Sequence, residues 1–267
     1  MNSTMELFDF AKVGKDEDFI KKLVFLANNL AEEEVWDFRK SDNVGILKTY
    51  IFKTFSRCYE QDKVLYSEDN EHCAINTGLL SRNGSKEIMM LFDRNVYQDD
   101  FNKNSYYQQD WYFAGFKTTA DRDYMEIFKS EVPAMATYTD NVEAYFFNPN
   151  IPIEVDVEHI VDDNWARLGN AVNLPKEVVR YMIAGVVDEA VKRAKRNFRL
   201  AIPQYYQGKI GYFLPIEFPV NDDKYVTMAL AVENVNGVYR ANTIYTLEDA
   251  YSKARLLMQI DTNWLLK

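Results

Sequence analysis

Cysteine, histidine, proline and glycine are scarce in this sequence, with 2, 2, 7 and 10 copies among 267 residues. Cys58 and Cys73 form no CxxC and have no His-rich segment beside them. A disulfide framework is therefore excluded, cysteine-held zinc is disfavoured, and a reducing, cytoplasmic location fits. Any Ser/His/Asp or Cys/His mechanism would have to use His72 or His159, and neither neighbours a GxSxG elbow. Walker A, GxGxxG and kinase signatures are missing. There is no run of about 18 apolar residues to span a membrane, and the first residues lack the basic-then-apolar layout of a signal peptide. Basic residues are outnumbered 31 to 41, for a net charge of −10. Long-range repulsion of that sign argues against nonspecific coating of nucleic acid, though not against a local basic groove.

Apolar residues, by contrast, are plentiful. They make up 47% of the chain, and aromatics alone 15%, enough for a substantial core. The periodicity predicts an α+β fold. Helices are expected from Asp16 to about Leu30 and from Asn43 to Gln61, followed by a hairpin of KVLYSE and HCAINTG around Asp69-Asn70. Helices followed by a hairpin suggest a winged-helix-like N-terminal part over residues 1–85. EIMMLFD, WYFAGFK, ATYT, EAYFFN and NPNIPIEVDV read as strands, and residues 159–168 and 176–198 as helices. Two further hairpins turn at Gln207-Gly208 and Asn236-Gly237, and Thr246 caps a closing helix. The expected architecture packs the N-terminal part on a mainly antiparallel sheet within residues 86–267. With no Gly/Ser linker, one continuous body is expected.

The most informative stretch is KRAKRNFR at 192–199. On one helix, Lys192, Lys195, Arg196 and Arg199 form a stripe, while Val179, Ile183, Val186, Ala190 and Ala194 face the core. IPQYYQGK follows, so cations that suit phosphates stand near rings that stack on bases. The candidate ligand-binding set is Lys192, Lys195, Arg196, Arg199, Gln204, Tyr205, Tyr206, Lys209, Arg240 and Arg255. Alternation places Asn242 and Ile244 beside Arg240, and Thr243 on the opposite face unless the strand bulges. The competing account is structural: a solvated helix face offsetting the helix C-terminus, aromatic packing across strands, and Arg240 paired with Glu233.

A second cluster is acidic. Asp156, Glu158, His159 and Asp162 carry the donor types that hold Mg²⁺ or Mn²⁺ for phosphoester hydrolysis. The same residues also fit an exposed strand edge running into a helix N-terminus.

Five segments carry a family resemblance: LYSEDNEHCAINTGLL at 65–80, WYFAGFKTTADRDY at 111–124, VDVEHIVDDNWARL at 155–168, residues 192–216, and YRANTIYTLEDAYSKARLL at 239–257. Together they resemble a bacterial and phage family of unknown function. Some of its members are joined to OST-HTH modules, winged helices predicted to bind RNA. The resemblance implies a cytosolic bacterial or phage protein with a link to RNA or nucleotides, and it identifies no catalytic residue. Three functions follow as expectations: an RNA- or nucleotide-binding protein, a metal-dependent phosphoester hydrolase, and an aromatic-faced protein–protein adaptor. A homodimer is expected by base rate.

Overall fold

The structure is a computed structural model and describes residues 5–38, 44–95, 109–221, 224–261 and 264–266. The chain divides into two compact units between Thr137 and Tyr138. The α+β class holds, with a five-stranded mixed sheet in each unit.

In the first unit, α1 (Leu7–Phe10), α2 (Asp16–Phe25) and α3 (Gly45–Glu60) pack on a sheet of their own. The expected first residue of α3, Asn43, lies outside the described residues. The sheet contains β1 (Ala11–Lys12), β2 (Leu65–Tyr66), β3 (His72–Leu80), β4 (Glu87–Arg94) and β5 (Trp111–Thr118), in the order β1-β5-β4-β3-β2. Only β1 and β5 run parallel. Aromatic packing joins helices to sheet: Phe10 and Phe55 meet Phe92, and Phe19 meets Phe113. The opposite face, with Ala74, Met89 and Leu91, is covered by Tyr124 and Phe128 of α4 (Arg122–Phe128).

The β2–β3 hairpin forms as expected, with Asn70 at φ +58° in its turn. It is not a free wing, because β3 pairs on its other side with β4. A boundary after residue 85 would therefore cut a sheet between neighbouring strands.

The β3–β4 register slips between Asn76 and Leu80, and Gly78 sits in that irregularity at φ +73°. A Cβ there would lie 2.9 Å from the Tyr50 hydroxyl, which donates to the Thr77 carbonyl at 2.8 Å. Gly78→Ala is expected to destabilise the protein by about 1–2 kcal/mol from the left-handed backbone alone, with the contact adding to it. Denaturant unfolding measures this, and an unchanged midpoint would contradict it.

The second unit contains β6 (Ile153–Val155), α5 (Val157–Val172), α6 (Lys176–Arg196), β7 (Ile202–Tyr206), β8 (Lys209–Asn221), β9 (Lys224–Val235), β10 (Val238–Tyr245) and α7 (Leu247–Ala254). Its strand order is β6-β10-β9-β8-β7, with β6 parallel to β10 and the other pairs antiparallel. ATYT and EAYFFN are not strands. The first has no regular structure, and Val142–Tyr145 is a 3₁₀ turn that Asn141 caps. The Tyr212 hydroxyl donates to the carbonyls of Ala144 and Phe146 and ties this segment down.

Val179, Ile183, Val186, Ala190 and Ala194 are buried, as the periodicity predicts. With α5 they cover the sheet face that carries Tyr212, Leu214, Leu230, Val232, Tyr239 and Ala241. Phe213 points to the other face and meets Tyr245. Thr246 caps α7 by accepting the Asp249 N–H.

Candidate functional site

The candidate residues separate into four places. Lys192 pairs with Asp188 at 2.5 Å, and its neighbour Arg193 pairs with Glu189 and Glu217 at 2.7 and 2.6 Å. These cations are neutralised within the unit. Lys195, Arg196 and Arg199 are exposed, and none has a carboxylate partner among the described residues; Arg196 donates to the Lys192 carbonyl at 2.9 Å. The expected continuous stripe breaks at Asn197, whose extended φ of −144° ends α6, and Arg199 sits in the following 3₁₀ turn. Phe198, beside Arg199, is 58% exposed.

The second place is the β7–β8 turn. Gln207 and Gly208 both have positive φ, the geometry that a two-residue hairpin turn requires. Tyr206 pairs directly with Lys209 and Gln204 with Gly211, so Gln204, Tyr206 and Lys209 share one face. Tyr205 points to the other face, where its ring meets Tyr138 at 4.7 Å. The five residues of β7 put on the order of 16 Å between Arg199 and Tyr206, at the usual strand rise. The basic-aromatic patch read from the sequence is thus two half-sites at opposite ends of an edge strand.

Sequence reasoning misses three residues that complete the tyrosine end. The Lys253 ammonium of α7 lies 4.4 Å from the Tyr206 ring and 5.2 Å from the Tyr245 ring. The Arg167 guanidinium of α5 lies 5.1 Å from that same Tyr245 ring. Cations and rings therefore alternate over Arg167, Tyr245, Lys253 and Tyr206, within favourable cation–π range. Burial, with the nearby Tyr206, raises the Tyr245 pKa above its ordinary value; Arg167 pulls the other way. Tyr245 thus stays a neutral hydrogen-bond donor at physiological pH. No local signal marks this cluster, since α5 and β7 bring Arg167 and Tyr206 to Tyr245 and Lys253 from distant parts of the sequence.

The third place holds Arg240, and here the strand does bulge. Arg240 pairs with Glu233, and Thr243 with Ala231, leaving Asn242 as the extra residue. Glu233 and Ala231 lie on one face, so Arg240 and Thr243 do too. Ile244, expected beside Arg240, instead faces the core; the side chain of Asn242 lies outside the described residues. Arg240 lines an open cleft of about 510 Å³ with Glu154, Val155, Asp156, Val157 and Glu158, and stands 4.0 Å from the Glu154 carboxylate. The Glu154 carboxylate offsets the guanidinium and two further acidic residues line the same cleft, which opposes a phosphate, so Arg240 leaves the phosphate-binding set. Arg255 leaves it as well, being only 6% exposed at the end of α7.

The fourth place is the acidic set, and it does not converge. Asp156 caps α5 by accepting the His159 N–H, and His159 Nδ1 lies 2.9 Å from Asp163. Asp162 pairs with Lys176 and Arg180 at 2.7 and 3.0 Å, and Glu158 with Arg180 at 3.4 Å. The Lys176 hydrogen bond, reinforced by Arg180, holds the Asp162 carboxyl below the usual carboxylate range. Among the described residues, no group of three or more His, Cys, Asp or Glu side chains is placed to hold a metal ion. The expected Mg²⁺ or Mn²⁺ site is therefore replaced by helix capping and surface ion pairs.

The cysteines are buried and unbridged. Burial pushes the Cys58 thiol up to about 11 and raises Cys73 further. Both stay protonated at neutral pH, which removes them as nucleophiles. Iodoacetamide at roughly pH 8.5, the ordinary thiol pKa, is expected to label neither cysteine in the folded protein and both in denaturant. Rapid labelling of the folded protein, read by mass spectrometry, would contradict this.

A family-level match covers residues 27–264, through both units and every site residue named above. The chain belongs to that family, described as a domain of unknown function (DUF3825). Its breadth agrees with a likeness spread over whole units rather than a motif. The family description assigns no activity to any residue. No curated protein and no solved structure matches the chain. Among the described residues, no helix is long and apolar enough to cross a membrane.

Proposed function

We propose that the second unit binds a short single-stranded segment of RNA. Lys195, Arg196, Arg199 and Lys209 contact its phosphates, and Tyr206 and Tyr245 stack its bases. One observation carries this reading: Tyr206, 47% exposed, stands opposite Lys209 with Lys253 over its ring, and Tyr245 and Arg167 continue the alternation. Rings with interleaved cations are the general means of holding unpaired bases and their backbone. The separation along β7 favours a strand of several nucleotides over a mononucleotide, which cannot reach both ends. Net charge fits a local site, since a chain of net charge −10 opposes nonspecific coating.

The family resemblance supports the same direction. In this reading the protein works in the cytosol of a bacterium or a phage-infected cell, where relatives joined to OST-HTH modules would couple the fold to RNA. Fluorescence anisotropy with a labelled oligoribonucleotide of about ten nucleotides, within the usual site sizes, tests the proposal. Saturable binding that weakens as salt rises supports it. Absence of binding at low salt would overturn it.

A further inference from the structure

We infer that Gln204 is the residue that reads base identity at this site, and that it selects adenine. The inference rests on the RNA-binding reading and deepens it.

Gln204 is only 7% exposed, and its Oε1 has no hydrogen-bond partner among the described residues. A buried amide oxygen is normally satisfied, because leaving it bare forfeits its hydration without compensation. The surrounding chain is built to receive this amide. Gly211, directly opposite on β8, has no side chain; a Cβ there would lie 3.0 Å from Gln204 Nε2 and 2.7 Å from the Val232 carbonyl oxygen. Glycine thus leaves room for the amide to lie across β8. Glu233, one residue past the Tyr212–Val232 pair, stands beyond it on the same face, in cross-strand register with Arg240.

Along β7, Gln204 is two residues from Tyr206 and shares its face. A base stacked on Tyr206 therefore presents its edge towards Gln204. The amide offers one acceptor and two donors. Adenine complements it with the N6 amino donor beside the N7 acceptor, the pairing that Gln makes bidentately with this base. The empty Oε1 takes the N6 hydrogen. The base enters between Tyr206 and α7, displacing the Lys253 ammonium from the Tyr206 ring. Apolar packing alone would give stacking without this selectivity.

The test compares labelled oligoadenosine with oligoinosine of equal length. Inosine keeps the purine ring but carries a carbonyl in place of the amino group. Wild type is expected to bind oligoadenosine about tenfold more tightly, the scale of one good bidentate contact. Gln204→Leu should abolish the preference, with oligoadenosine losing clearly more affinity than oligoinosine, which keeps N7 as an acceptor but lacks the N6 donor. The ligand-free variant should melt no lower than wild type, because Oε1 has no partner to lose among the described residues. Equal binding of both oligomers by wild type would overturn the inference while leaving RNA binding intact. An equal drop for both in Gln204→Leu, or a clear loss of melting temperature, would overturn it too and mark Gln204 as structural. If neither oligomer binds wild type, the RNA-binding reading itself falls, and this inference with it.

Discussion

A protein carrying Lys195→Ala, Arg196→Ala and Arg199→Ala is expected to bind single-stranded RNA on the order of a hundredfold more weakly at low salt. The plot of log affinity against log salt should flatten by about 2 units of slope, the share of three phosphate contacts to a single strand. The reason lies in the contrast along α6. Lys192 and Arg193 are already held by Asp188, Glu189 and Glu217, whereas the three downstream cations have no carboxylate partner among the described residues. All three are exposed, so their removal should shift stability by no more than about 0.5 kcal/mol. Lys192→Ala serves as the internal control and should leave the salt slope nearly unchanged. If the triple variant keeps the wild-type slope, phosphate contacts at the end of α6 are ruled out.

Tyr239→Ala should have the largest effect on folding, with a loss of about 3–5 kcal/mol, as for other large aromatic truncations in cores. Tyr239 is 2% exposed. Its ring stacks on Phe147 at 4.8 Å and meets Tyr212 edge-on at 5.7 Å. Its hydroxyl accepts the Asn148 N–H at 3.1 Å, which fixes the chain leading into β6. Tyr239→Phe keeps the packing and should cost only about 1 kcal/mol for the hydrogen bond. Denaturant unfolding of the pair separates the two contributions. Equal losses would mean that the hydroxyl, not the ring, holds this core together.

Much of the local architecture is legible in the sequence because its signals are local. The hairpins at Asn236-Gly237 and Gln207-Gly208 have positive φ at both turn residues, which Asn and Gly advertise and Gln207 does not. The buried face of α6 follows from helical spacing alone. Division into two units is not legible, because no linker marks Thr137, and β1 reaches its partner β5 across some 100 residues of sequence. EAYFFN has a strand's composition, but it is held as a 3₁₀ turn by the Asn141 cap and the Tyr212 hydroxyl. In both cases tertiary contacts override local propensity.

The site follows the same division. Gln204, Tyr206 and Lys209 are adjacent in sequence and share a face, so they are found by alternation. Arg240 and Arg255 have the right chemistry but the wrong surroundings: one faces carboxylates, the other is buried. Arg167, Tyr245 and Lys253 join the site only through packing of α5, β10 and α7. The bulge at Asn242 reverses the face of every later residue of β10, and alternation cannot foresee it.

Ultraviolet cross-linking of a bound oligoribonucleotide, with the attached residue mapped by mass spectrometry, tests the central claim most directly. Bases stacked on tyrosine rings should cross-link at Tyr206 and Tyr245, and Tyr206→Ala should abolish the first adduct. Cross-links confined to the first unit, or binding that yields no adduct at either tyrosine, would contradict the account.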